Sequence, residues 1–104
     1  MKPLLRLLTP WHPIDPAIAA IFEVEFALEL GIAHPLSGIP ANAIARRIDG
    51  DDVLFQLQLP VNNYAVVRLN WARKERYPNY QVYKDEEQLM EQCIRPAHEE
   101  YGGD

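Results

Sequence analysis

Few residues in this chain carry the types and spacing that catalysis needs. Ser37 and Thr9 are the only aliphatic hydroxyls, and neither stands in the G-x-S-x-G turn that lifts a serine oxygen toward a base. His12, His34 and His98 are scattered, the first two each preceding a proline, and no two share the i,i+4 spacing that presents a pair of metal ligands on one helix face. The run Asp49-Gly50-Asp51-Asp52 suggests a calcium loop, but an EF-hand counted from Asp49 would need Gly at Leu54 and Glu at Pro60, so it reads as a tight turn. The single Cys93 sits on an apolar stripe with Leu89, Met90 and Ile94 and reads as a small buried hydrophobe rather than a reactive thiol. No metal, cofactor or catalytic set is expected from these residues. The best acid–base pair the fold could gather is His34 with His98, beside carboxylates.

Binding chemistry has two candidate locations. The segment Trp71-Ala72-Arg73-Lys74-Glu75-Arg76-Tyr77 interleaves basic and aromatic side chains, as single-stranded nucleic-acid platforms do. With Arg68 it would form a basic patch. The other candidate is the polar side of two alternating stretches, 53–59 and 64–71. Gln56, Gln58, Tyr64, Arg68 and Asn70, joined by Arg46 or Arg47, could hold a partner by directed hydrogen bonds from a rigid sheet.

Those side chains require a hairpin in the middle of the chain. Val53, Phe55, Leu57 and Leu59 must share a face with Ala65, Val67, Leu69 and Trp71, and only a connection with an odd number of residues achieves that. A loop of three or five residues is therefore expected, with a bulge or a left-handed Asn62 or Asn63. A first strand over 41–48 precedes the hairpin, and Tyr80–Tyr83 can add a short edge strand. Asp15-Pro16 is a helix start and Gly31 a helix stop. Between them the strict alternation of Phe22 to Leu30 argues for a strand, whereas the length and the Ala, Leu and Glu content argue for a helix. We take the helix, with Ala17, Ile21, Val24 and Leu28 as its buried stripe. Asp85-Glu86-Glu87-Gln88 is a capping box opening a second helix, which Pro96 ends or restarts through Tyr101.

The expected architecture is α+β: a three-stranded antiparallel meander (41–48, 53–59, 64–71) with the N-terminal and C-terminal helices packed on one face. Residues 1–14 form an irregular arm and 102–104 a frayed tail. At 104 residues, 48% hydrophobic and 24% charged, the chain has the make-up of one domain. A domain of this size buries only roughly 60–70% of its unfolded surface, so homodimerisation is a natural supplement. One cysteine and no long apolar run indicate a cytoplasmic protein without membrane insertion. The net charge of −5 is uneven, about −2 over 1–40, +2 over 41–83 and −5 over 84–104, which argues against broad attraction to nucleic acid, leaves room for a local basic patch, and suits a basic protein partner at least as well.

His34-Pro35-Leu36-Ser37-Gly38, Ala45-Arg46-Arg47, Asp51-Asp52-Val53-Leu54-Phe55, Tyr64-Ala65-Val66-Val67-Arg68-Leu69-Asn70-Trp71 and Glu91 to Tyr101 together resemble a family of small uncharacterised bacterial proteins. Its members more often read His-Leu-Thr-Trp where this chain has Arg68 and Asn70, and Asp where it has Ala97. The resemblance implies a bacterial, cytosolic, single-domain protein and transfers no functional residue. Three functions stay open at this point: a non-enzymatic protein-interaction domain, including toxin neutralisation of the immunity type; a small hydrolase or isomerase using His34 and His98; and a nucleic-acid binder through 68–77.

Overall fold

The computed structural model describes residues 7–31, 36–58, 63–69 and 79–102. Helix α1 (Pro16–Leu30) forms as the sequence predicts. Asp15 Oδ1 accepts the Ala17 N–H at 2.8 Å, Pro16 opens the first turn where no N–H is needed, and Gly31 closes the helix at φ 66° with its N–H on the Ala27 carbonyl. The alternating 22–30 segment thus yields to helix-forming residues held between good caps.

Among the described residues the sheet has five strands rather than three, in the order β1 (Trp11–Pro13), β2 (Ala41–Arg47), β3 (Asp52–Leu57), β4 (Asn63–Arg68) and β5 (Asn79–Tyr83), every neighbouring pair antiparallel. The expected irregular arm contains β1. Trp11 is 2% exposed, and burying it brings its backbone alongside β2, whose outer N–H and C=O groups need partners. Pro13 is tolerated because β1 is an edge. At the central hairpin Leu57 pairs with Asn63, Phe55 with Ala65 and Val53 with Val67, which leaves the expected odd connection of five residues, 58–62. Asn63 is the first residue of β4, whereas Leu59 and Asn62 lie outside the described residues.

A bulge at Ile44 shifts the β2–β3 register, so that Ala43 faces Phe55 and Ala45 faces Leu54. Ala43 and Ala45 therefore enter different cores. β1 pairs only with 45–47, and beyond its end Glu23 Oε2 of α1 accepts the Ala43 N–H at 2.9 Å, doing for this backbone group what a longer β1 would have done.

The helices lie on opposite faces of the sheet, which corrects the expected one-sided packing. On the α1 side, Phe26, Leu30 and Ala19 pack with Val53, Phe55, Leu57, Ala65 and Val67, and the Phe26 and Phe55 rings stack at 4.5 Å. On the other side, Leu89, Ile94 and Ala97 cover Leu54, Tyr64, Tyr83, Ala45 and Trp11. A strand face that alternates polar residues with Leu54, Tyr64 and Val66 still offers enough apolar surface for a helix, so the sheet is buried on both sides.

That second cover is a continuous helical run: α2 (Glu86–Leu89), a wider π-helical turn (Met90–Ile94) and α3 (Arg95–Tyr101). Asp85 Oδ1 accepts the Gln88 N–H and Gln88 Oε1 accepts the Lys84 N–H, both at 2.8 Å, a reciprocal cap of the expected kind. Pro96 does not break the run. It lacks the N–H that would bond residue 92, and the preceding turn widens so that the Arg95 N–H reaches Met90 O.

Candidate docking face

The side chains expected to form a binding face do not share an open surface. Tyr64 is 2% exposed beneath the C-terminal helical run, its hydroxyl donating to Glu86 Oε1 at 3.1 Å. Gln56 pairs with it across the hairpin and is half-buried, and Gln58 lies exposed just past the end of β3. Arg68 is exposed and holds Asp52 at 3.1 Å. Arg47 makes a two-pronged contact with Asp49, both bonds 2.8 Å, and lies over the Trp11 ring. This contact draws the Asp49 carboxyl below the usual carboxylate range. Asn70 falls outside the described residues. Arg46 lies on the other side of the sheet, paired with Val53 and over the Phe22 ring of α1, and the centre of the face under the C-terminal helix is the apolar patch of Leu54, Tyr64 and Tyr83.

Among the described residues, catalytic geometry is equally thin. His98 Nδ1 donates to the Thr9 carbonyl at 2.7 Å, tying the N-terminal segment to α3. His34, and with it any approach to His98, lies outside the described residues, as do Arg73, Lys74, Arg76 and Tyr77 of the basic segment. Cys93 is half-buried and hydrogen-bonded with Tyr83, and burial pushes its thiol up to about 11, away from the thiolate a nucleophile needs. Among the described residues, no three of His, Cys, Asp and Glu are placed to hold a metal ion. A cavity of about 170 Å³ lies between α1 and residues 36–41, smaller than the roughly 300 Å³ at which ligand pockets begin. Its carboxylate, Glu23, is already engaged with the Ala43 N–H.

The feature that stands out is the outer side of α1. Ile18, Ile21, Val24 and Leu28 are 41%, 54%, 60% and 61% exposed, and the remaining exposed positions of the helix are Pro16, Ala17, Ala20 and Ala27. No exposed position on α1 carries charge. Its three carboxylates lie inward or at the flank: Glu25 and Glu29 are buried and Glu23 is half-buried. A surface helix ordinarily shows the reverse arrangement. The stripe Ala17, Ile21, Val24 and Leu28, expected to pack on the sheet, is the one that faces out, because Phe22, Phe26 and Leu30 form a bulkier stripe that the sheet takes instead. The signal was present in the sequence as two apolar stripes on one helix with only one sheet face to receive them. No protein family, no curated protein and no solved structure matches this chain.

Proposed function

We propose that this chain is a small non-enzymatic protein-interaction domain that docks through the outward side of α1. The observation carrying this reading is the charge-free, apolar exposed face of a fifteen-residue helix on a protein of net charge −5. Its four large side chains leave apolar area on the order of 400 Å² in water, within the ~300–600 Å² range of the largest, often functional, patch on a monomer. Such a face on an otherwise charged surface favours contact with another apolar surface. The carboxylate in the cavity beside α1 is already committed to a backbone N–H, and the Cys93 thiol is held protonated by burial, which favours binding over catalysis.

The test places a photoreactive benzophenone side chain at position 24, in place of Val24, in cells that make the protein. The expected result is a discrete cross-linked protein product, identified by mass spectrometry, that the same probe at position 91, in place of the exposed Glu91 on the opposite side of the sheet, does not give. No product from position 24, or identical products from both positions, overturns the reading.

A further inference from the structure

We infer that the occupant of the outward α1 face is a second copy of this chain, packed antiparallel about a two-fold axis; this rests on the reading of α1 as the docking face. Ala17, Ile21, Val24 and Leu28 follow one another at spacings of four, three and four, the rhythm of a coiled-coil seam. A two-fold axis crossing the helix midway between Phe22 and Glu23 sets Ala17 level with Leu28 of the other copy and Ile21 level with Val24. Small meets large in the first pair and two β-branched side chains meet in the second, while Ile18 and Ala27, nine residues apart, flank the seam on opposite shoulders; the seam is its own complement, as an isologous interface requires. No charged or polar side chain stands on this seam. A parallel pairing would instead bring Leu28 onto Leu28 and Ala17 onto Ala17, crowding one end and leaving a gap at the other.

The area also fits. A standard interface takes roughly 800 Å² from each partner, of which about 56–65% is apolar, or about 450–520 Å². The four large side chains supply on the order of 400 Å² of that, and the exposed Ala17, Ala20, Ala27 and Pro16 add the balance. Antiparallel helices also oppose their macrodipoles favourably. Each copy carries −5, so the two repel at long range. Added salt screens that repulsion and should tighten the dimer, opposite to the behaviour of an ion-paired interface.

Sedimentation velocity of the purified full chain over micromolar to hundreds of micromolar concentrations tests this. The wild type should move from 12.0 kDa toward twice that mass, at lower concentration when NaCl is raised. Val24→Glu should weaken association roughly 100-fold, since it buries a charge without a partner. Geometry is tested separately in a Cys93→Ala background. A mixture of Ile21→Cys and Val24→Cys chains should form the mixed disulfide faster than either variant forms a disulfide with itself. A wild type that stays monomeric throughout, a dimer indifferent to Val24→Glu, or faster self-linking of each single variant would overturn the inference. If the wild type is monomeric and the position-24 cross-link goes to a different protein, the second-copy inference fails and the docking face stands. If there is no cross-link at all, both fail.

Discussion

Leu54 and Phe55 are consecutive residues of β3, both 0% exposed, and they point into different cores. In a sheet with one solvated face, one of two such neighbours would be nearly silent to substitution. Here neither should be. Phe55→Ala removes a ring stacked on Phe26 at 4.5 Å and should cost about 3–5 kcal/mol, and Leu54→Ala should cost about 2–5 kcal/mol by leaving a cavity beneath the C-terminal helix. Against a total stability of roughly 5–15 kcal/mol, either is a large loss. With a urea m-value of about 2 kcal/mol/M, each midpoint should fall by about 1–2.5 M. The assay is urea unfolding followed by far-UV circular dichroism, at one protein concentration because association shifts apparent stability. A Leu54→Ala midpoint within about 0.3 M of wild type would refute the two-sided packing, since that is the size of an ordinary surface substitution.

Further outcomes follow from the caps and the buried hydroxyl and thiol groups. Asp15→Ala, which removes the acceptor for the Ala17 N–H, should cost about 1 kcal/mol, read as a lower urea midpoint; an unchanged midpoint would show that the cap is idle. Burial, with the nearby Glu86 carboxylate, pushes Tyr64 up to about 12, and burial, with Cys93 beside it, pushes Tyr83 up to about 12. The folded chain therefore holds these protons after the unfolded chain has released them near pH 10. The stability they contribute is complete below pH 9 to 10 and is lost as pH rises toward 12. Urea midpoints should decline from pH 9 to 11, and a flat or rising series would contradict the burial of these hydroxyls. With Cys93 pushed up to about 11, only about one thiol in a thousand is ionised at pH 8, so labelling by a disulfide reagent should be roughly 100-fold slower in the native protein than in urea. Equal rates would place Cys93 in open solvent.

The sequence exposed local decisions more clearly than it exposed partners in space. The ends of α1 were legible because Asp15-Pro16 and Gly31 act within a few residues of themselves, as was the Asp85–Gln88 cap. The odd length of the central connection followed from the parity of Val53, Phe55, Ala65 and Val67. What failed was orientation. On α1 nearly every position other than three glutamates is apolar, so periodicity could not say which of two stripes the sheet would choose; the choice fell to Phe26 meeting Phe55. The second sheet face looked open because Tyr64 read as polar, although its ring, with that of Tyr83, supplies much of the core there. β1 was invisible for a similar reason: three residues around Trp11 carry no periodic signal, and the strand exists through its pairing with β2.

The most direct test of pairing between two copies through α1 is a dilution series of methyl-labelled protein followed by NMR. If the charge-free side of α1 closes on a second copy, the methyl resonances of Ile18, Ile21, Val24 and Leu28 should move together with concentration, along one binding curve, while those of the enclosed Leu54, Leu89 and Ile94 stay fixed. Concentration-dependent shifts confined to β5 or to the acidic C-terminal helix, or no shifts across the whole series, would contradict it.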